Sequence, residues 1–188
     1  MPAETARPII ILGSQGNIGR RLMAAFPGAI GIDRAAGADI VGDLHTLDYD
    51  APEVRQAFET ADGLIHVATS ANVADPSAVH WAAVADTARL MAACDRYDIR
   101  RVVLPSSDWA QPKTRWAAHE LNAYGHSKRV FEAMAEMYNV TPGRHAVALR
   151  LGWVPRHPDE VTTASEWLRA NYWDDARLVG QVRAALGD

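Results

Sequence analysis

Tyr124 and Lys128 are the two residues of this sequence whose types and spacing point most directly to chemistry. They lie four positions apart in a segment with helical periodicity, so a helix would place both side chains on one face. A tyrosine with a pKa of about 10 is a poor base at neutral pH, but a nearby ammonium group favours the phenolate and lowers that pKa. Such a phenol could take the proton of an alcohol while a hydride leaves the adjacent carbon for a nicotinamide. The alternative for the pair alone is a surface tyrosine beside a solvated lysine.

Two serines stand directly after a predicted buried strand. Ser106 and Ser107 follow the predicted strand 101–105, and open α/β sheets place their ligand sites at the carboxyl ends of the strands. One hydroxyl there could bind the substrate oxygen and steady the tyrosine, and we favour Ser107 for this role. The alternative is that both serines only satisfy backbone groups at the strand end.

A glycine-rich segment joins the first predicted strand to the first predicted helix. Its three glycines have the spacing of a dinucleotide-binding turn: the first permits a tight turn, the second lets the backbone approach a pyrophosphate, and the third lets the helix pack closely. The amino terminus of the helix offers N–H groups to the phosphates. The alternative is a tight turn without a ligand. The strand before and the helix after favour dinucleotide binding by Gly13, Gln15, Gly16, Asn17, Ile18 and Gly19.

Two acidic residues further along extend this cofactor hypothesis. Asp33 ends the second predicted strand, 20 positions beyond Gly13, where a carboxylate accepts hydrogen bonds from the adenosine ribose and repels a 2′-phosphate. This favours NAD, although the adjacent Arg34 could bind that phosphate, so NADP stays an alternative. Asp43 is a candidate for the adenine amino group together with its neighbour Leu44; taken alone, Asp43 fits a solvated loop carboxylate as well.

The elements that must position these residues alternate between two periods. Short apolar runs predict strands, and longer segments with apolar residues three and four apart predict helices. This alternation indicates an α/β fold, a Rossmann-type doubly wound parallel sheet of strand order 3-2-1-4-5-6. The predicted strands are 9–12, 29–33, 39–43, 63–68, 101–105 and 145–150, and the predicted helices are 18–26, 52–59, 77–97, 122–138, 164–171 and 174–186.

Size and composition exclude several classes of protein. The 188 residues are 48% hydrophobic and 22% charged, which fits one globular domain rather than a disordered chain. A net charge of −4 and the lack of a basic block argue against a nucleic-acid partner. The single cysteine fits a reducing compartment, the run 9–12 is too short for a signal peptide or membrane span, and the histidines lack metal-ligand spacing. We expect a single cytoplasmic dinucleotide-binding domain, 1–188, with no membrane or metal.

At this point the sequence resembles the extended branch of the short-chain dehydrogenase/reductase superfamily. The resemblance covers about residues 8–155 and rests on the glycine turn, on the segment Val102–Ser107, and on Tyr124-Gly125-x-Ser127-Lys128. It implies Tyr124 as general base, Lys128 as the group that tunes its pKa and anchors the cofactor ribose, and Ser107 as the hydroxyl that orients the substrate. It also implies a homodimer, and a ribose-lining segment formed by Val67, Ala68 and Thr69.

Within that branch the sequence loosely resembles the small uronate dehydrogenases, through Ser165–Leu168 followed by Asp174-Asp175. It departs from the wider family's asparagine at Ala83. It departs from the uronate dehydrogenases' Asn-His at Asp108-Trp109, and from their carboxylate-binding arginine at Thr162, with Arg156 as a nearby substitute. A sugar-like polyol is therefore a better expectation than a uronate. The candidate substrate contacts are Ser70, Asp108, Trp109 and Trp153.

The segment after Arg150 is shorter than the substrate lobe of most extended members, so residues 151–188 are expected to form a reduced helical cap. The sequence predicts an NAD-dependent oxidoreductase acting on a secondary hydroxyl or carbonyl of a small polar substrate. Two alternatives stay open: an epimerase or dehydratase that retains its NAD, and a non-catalytic NAD(P)-binding sensor.

Overall fold

A single six-stranded sheet forms the centre of the molecule. The structure is a computed structural model and describes residues 7–111 and 121–187. All strand pairs are parallel, and the order β3-β2-β1-β4-β5-β6 confirms the sequence prediction. The strands are β1 (Ile9–Leu12), β2 (Ile30–Asp33), β3 (Ile40–Val41), β4 (Gly63–His66), β5 (Arg101–Ser106) and β6 (His145–Arg150).

Seven helices connect and follow the strands. None of those in the described ranges is long and apolar enough to cross a membrane. They are α1 (Asn17–Ala25), α2 (Pro52–Thr60), α3 (Ser77–Arg96), α4 (Ala123–Tyr138), α5 (Glu160–Thr163), α6 (Glu166–Ala170) and α7 (Asp175–Leu186).

Each face of the sheet is covered, as the continuous apolar runs of the central strands require. On one face, Phe58, Leu90 and Phe131 pack from α2, α3 and α4 against strand residues such as Leu64. On the other face, residues of α1 and α7 pack against the remaining strand side chains, among them Leu22, Val182, Leu186, Ile11 and Val103. The parallel register brings the carboxyl ends of β1, β4 and β5 to one edge of the sheet.

Several element boundaries differ from the sequence prediction for local reasons. The third strand, predicted as 39–43, is only Ile40–Val41, because Asp43 starts a turn: its carboxylate accepts from His45 N and its carbonyl from Thr46 N. The fourth strand ends at His66 instead of 68, because the ring of His66 accepts the backbone N–H of Ala68. The single helical turn α5 lies outside the predicted helices, just before the one predicted as 164–171.

The carboxyl-terminal helix belongs to the sheet layers. The side chains of Leu178 and Val182 are buried with those of β5, β6 and α1. Helix α7 therefore covers the sheet, and of the predicted cap only the residues between β6 and α7, 151–174, lie outside this packing helix. For this stretch the reduced cap stays a prediction.

Candidate active site

The glycine-rich turn after β1 is shaped by close backbone contacts. Gly13 has a φ of 86°, and a Cβ there would lie 2.7 Å from the backbone nitrogen of Ala68. A Cβ on Gly19 would overlap the carbonyl oxygen of Gly13. Only glycine fits either position without moving backbone. Gly16 is the N-cap residue of α1, and no side chain caps the helix, so its first turn has no side-chain acceptor from the cap. The turn fits an anionic pyrophosphate.

Asp33 is more constrained than the sequence indicated. One carboxylate oxygen accepts from Gln15 N at 2.9 Å and the other from Ala35 N at 2.9 Å. Each oxygen has a second lone pair for a ribose hydroxyl. The side chain of Gln15 donates to Gly37 O at 3.1 Å, and Arg34 is exposed beside it. The structure thus places Asp33 and Arg34 at the carboxyl end of β2, next to the glycine-rich turn.

The turn also contacts a distant part of the chain. The side-chain amide of Asn17 donates to the carbonyl oxygen of Val154 at 2.8 Å. Arg21, one helical turn later, donates to Pro155 O at 2.8 Å and pairs with Asp175 at the start of α7. Ile18 is half-buried and packs with the same apolar cluster. The start of α1 is therefore tied to the loop that follows β6.

A side chain of α3 holds the loop that contains Asp43 and Leu44. Leu44 is half-buried against the core, and Asp43 is exposed. Arg89 donates to the carbonyl oxygens of His45 at 2.5 Å and Leu47 at 2.9 Å, which fixes the loop. An adenine contact for Asp43 and Leu44 stays a prediction.

Tyr124 lies in the first turn of α4, and two contacts hold this turn in place. The α4 cap residue Asn122 accepts from Gly125 N at 2.9 Å and donates to Val73 O at 3.2 Å. A Cβ on Gly125 would overlap Trp109 O, so the 3₁₀ turn Asp108–Ala110 presses directly on the helix. The phenol is 8% exposed and hydrogen-bonds the side chain of Ser107.

The expected lowering of the tyrosine pKa is not what the structure gives. Burial raises the pKa of Tyr124 above its ordinary value, and the hydrogen bond with Ser107 lowers it by less. The Nζ atom of Lys128 lies 5.0 Å from the centre of the phenol ring, so the cation is close, yet burial sets the direction of the shift in the Tyr124 pKa.

Lys128 is itself buried. Its side chain donates to Thr69 Oγ1 at 3.2 Å, and its residue is 3% exposed. Burial lowers the pKa of Lys128 to about 8, so the amine is mostly ammonium at neutral pH. Thr69 belongs to the segment predicted to line the ribose, and Val67 N continues the sheet by donating to Leu12 O at 2.8 Å. The structure brings Thr69, Lys128, Tyr124 and Ser107 into one connected group.

The two serines after β5 have different surroundings. Ser106 is buried, and its hydroxyl donates to the carboxylate of Glu132 at 2.7 Å. The guanidinium of Arg150 donates to both oxygens of the same carboxylate, at 2.8 and 3.1 Å. These contacts hold the pKa of Glu132 below its usual value, against the effect of burial. Ser107 instead accepts from Trp109 N at 3.4 Å and contacts Tyr124. Of the pair, Ser107 is the one at the phenol.

The other residues predicted to contact the substrate have partners within the protein. Ser70 donates to Asp75 at 2.5 Å and accepts from Asn72 N at 3.1 Å, so its hydroxyl is engaged within the loop 70–75. Asp108 lies close enough to Arg150 to raise the pKa of that guanidinium. The ring of Trp153 packs edge-on against Tyr172 at 6.1 Å. Substrate contacts by Ser70, Asp108, Trp109 and Trp153 stay predictions.

Three residues that the sequence prediction did not include belong to this neighbourhood. His66 is fully buried with Nε2 3.2 Å from Thr87 Oγ1, and burial together with Lys128 lowers the pKa of His66 to about 3. His80 packs its ring against Tyr124, and Glu132 joins β5 to β6. Their helical or strand periodicity could have marked them as inward-facing polar residues.

Comparison with known proteins gives a family match. Residues 9–160 match the model of the NAD dependent epimerase/dehydratase family. No curated protein matches the sequence.

Three solved structures illustrate the fold. A GalE-like L-threonine dehydrogenase from Cupriavidus necator, in its holo form, aligns with a TM-score of 0.69 and 17% identity over 83% of this chain and 62% of its own. A mutated uronate dehydrogenase aligns at 0.64 and 22%, over 81% and 61%. MoeE5 in complex with UDP-glucuronic acid and NAD aligns at 0.65 and 23%, over 79% and 55%. The likeness shows the fold, and the chain spans about three fifths of the length of these proteins.

Proposed function

The chain belongs to the NAD dependent epimerase/dehydratase family, and we propose that it is an NAD-dependent oxidoreductase. Its substrate would be a small polar, sugar-like compound with a secondary hydroxyl or carbonyl. The observation that carries this proposal is the buried Tyr124 phenol. It contacts the side chain of Ser107, and the ammonium of Lys128 lies 5.0 Å from the centre of its ring. A hydroxyl oxidation needs such a proton acceptor next to the reacting carbon.

The cofactor part of the proposal is supported by the fit of the glycine-rich turn. The pyrophosphate of NAD would lie against Gly13, Gly16 and the amino terminus of α1; a Cβ on Gly13 would collide with backbone, and one on Gly16 would be tight against Gly13 O. Asp33 would bind the adenosine ribose, and Thr69 with Lys128 would hold the nicotinamide ribose. NAD supplies the hydride acceptor when it is bound.

The chain's own groups would then divide the proton chemistry among them. Ser107 would bind the substrate oxygen and orient it towards Tyr124 Oη. Tyr124 would take the hydroxyl proton in oxidation and return it in reduction. The ammonium of Lys128, charged at neutral pH, would stabilise the phenolate as it forms, since burial strengthens the attraction between opposite charges.

The assembly that we propose is a homodimer. Large apolar side chains are exposed on α3 and α4: Trp81 is 72% exposed and Met137 is 69% exposed. Apolar residues of this size on adjacent helices suit a contact with a second copy. The test is the mass of the native protein in solution, compared with that of a Trp81→Glu variant, which we expect to shift towards the monomer.

The experiment that tests the activity is a substrate panel. Aldoses, uronates and cyclic alcohols are incubated with the purified chain and NAD, and NADH is followed by absorbance. We expect turnover of neutral polyols above uronates, because Asp108 stands near the cleft. If none reacts and NAD remains bound through purification, the epimerase or dehydratase alternative gains support. If none reacts and bound NAD exchanges freely, a non-catalytic sensor does.

A further inference from the structure

His80 is a buried histidine on α3 whose ring touches the proposed base. It is 4% exposed, and its ring packs edge-to-face with Tyr124 at a centroid distance of 5.6 Å and an interplanar angle of 74°. Its Nε2 atom is covered and has no hydrogen-bond partner among the residues that the structure describes. A nitrogen of this kind needs an explanation, because nearly all buried polar atoms in folded proteins are hydrogen-bonded.

Packing alone does not account for a histidine at this position. A phenylalanine would make the same edge-to-face contact with Tyr124 without burying an unpaired nitrogen. A histidine is useful there if Nε2 has a partner in some state of the working protein. The edge-to-face contact places the imidazole ring beside the Tyr124 ring, so such a partner would lie in the surroundings of the proposed base.

Unlike Nε2 of His80, the polar side chains near it on α3 and α4 that follow have hydrogen-bond partners. Thr87 lies on the same helix face, seven positions on, and donates its hydroxyl proton to Ala83 O at 2.7 Å while it contacts His66. Ala83, one turn after His80, has no polar side-chain atom. On α4, the ammonium of Lys128 donates to Thr69.

We propose that Nε2 of His80 hydrogen-bonds a second hydroxyl of the substrate, next to the hydroxyl that Tyr124 deprotonates. The substrate would therefore be a vicinal diol, or the corresponding hydroxy-ketone in the reverse direction. An imidazole nitrogen can donate or accept, and so can a hydroxyl, so the pair is complementary in either tautomer. This inference rests on the proposed oxidoreductase function and names a feature of its substrate. Because Nε2 is covered, the imidazole must shift or turn when the diol enters.

The test compares two probes and three variants of the full chain. The probes are trans-cyclohexane-1,2-diol and cyclohexanol, with NAD, and the measured quantity is the ratio of their kcat/KM values. His80→Phe keeps the ring and removes the nitrogen, whereas His80→Gln keeps an amide nitrogen near the position of Nε2. His126→Phe is the matched control, since this exposed histidine lies two residues from Tyr124.

We expect the wild-type protein to prefer the diol by at least about 10-fold, because a site that hydrogen-bonds a hydroxyl rejects the analogue that lacks it. His80→Phe should bring the ratio close to one, His80→Gln should retain most of the preference, and His126→Phe should keep the wild-type ratio. A purely structural role for His80 would lower kcat/KM for both probes together and leave their ratio unchanged. An unchanged ratio in His80→Phe would therefore overturn the proposal, whether or not kcat/KM falls for both probes.

A binding measurement separates this proposal from the proposed function. With ¹⁵N-histidine-labelled protein saturated with NAD, the diol should move the Nε2 resonance of His80, identified by its loss in His80→Phe, and cyclohexanol should not. If no compound of the substrate panel, these two alcohols included, is oxidised, the oxidoreductase function fails, yet movement of this resonance by the diol alone still supports the role of His80. A resonance that the diol leaves in place overturns that role, whatever the turnover.

Discussion

The ammonium nitrogen of Lys128 lies 5.0 Å from the centre of the Tyr124 ring, and both side chains are almost fully buried. Burial disfavours the charged form of each: it raises the pKa of the phenol and lowers the pKa of the amine to about 8. Neither residue is therefore placed for stability. The arrangement suits a proton acceptor that becomes charged only while a neighbouring cation is present to stabilise it.

Tyr124→Phe should abolish turnover and leave cofactor binding nearly intact. The substitution removes the phenolic oxygen and retains the ring that packs against His80 and Lys128. We expect a loss in kcat of at least ~100-fold, the range typical for removal of a general base, with the Kd for NAD within about 3-fold of wild type. NADH formation and NAD titration by protein fluorescence measure the two quantities. Turnover equal to that of the wild type would show that another group moves the proton.

Lys128→Met should stabilise the fold while it removes activity. At pH 7 the native protein must hold a charged amine whose pKa is lowered from 10.5 to about 8, whereas the unfolded chain solvates it freely. Removing that charge should raise the free energy of unfolding by about 1–3 kcal/mol, measured by urea denaturation.

The pH dependence provides a control for this interpretation. The unfolded chain binds the Lys128 proton more tightly than the native chain, so wild-type stability should rise as the pH increases from 8 towards 10.5. The Lys128→Met variant should lack this rise. A variant less stable than wild type at pH 7 would mean that the contacts with Thr69 and the aromatic rings outweigh the desolvation of the charge.

Asp33→Asn should weaken the preference for NAD over NADP. The amide keeps the shape of the side chain and removes the negative charge that would repel a 2′-phosphate, and its single oxygen can accept from only one of Gln15 N and Ala35 N. With Arg34 exposed alongside, we expect the ratio of the two Kd values to fall about 10-fold, equivalent to roughly 1.4 kcal/mol. Adding Arg34→Ala should then reduce NADP binding again. An unchanged ratio would place the adenosine ribose elsewhere.

Acid should destabilise the protein through His66 before most carboxylates titrate. Burial and Lys128 hold the pKa of His66 at about 3 in the native state, against 6.5 in the unfolded chain. The neutral imidazole's contribution is complete above pH 6.5 and is lost as the pH falls towards 3, at up to about 1.4 kcal/mol per pH unit. Urea denaturation between pH 7 and pH 5 should show this slope, and His66→Gln should flatten it. An equal slope in the variant would assign the effect to other groups.

The arrangement of the fold could be predicted from the sequence because it follows from periodicity. Runs such as Ile9–Leu12 admit only a strand buried on both faces, and the helices between them dictate parallel pairing, so the strand order was correct. The family match confirms the predicted resemblance to the extended short-chain dehydrogenase/reductases. Errors occurred where a side chain competes with the backbone for hydrogen bonds, as at Asp43, or where one helical turn has too few residues for a period, as in α5.

The site could be predicted only as far as motifs are local in sequence. The spacing of Tyr124 and Lys128 gave their shared face, but the balance between burial and charge that raises the pKa of Tyr124 depends on packing between α3, α4 and the sheet. His80 lies 44 positions before Tyr124, and no local pattern links the two. Likewise Asp33 was expected to be open to a ribose, whereas the folded turn already gives it two backbone N–H groups.

The hydrogen bond from Asn17 to Val154 connects residues 137 positions apart. One end lies where phosphates would bind and the other in the loop after β6, and Arg21 adds a second contact to the same loop through Pro155 O. An order of addition follows: the nucleotide, by setting the first turn of α1, would fix the far wall of the cleft before the second reactant arrives. Steady-state kinetics of this protein should accordingly follow a compulsory sequence rather than a random one.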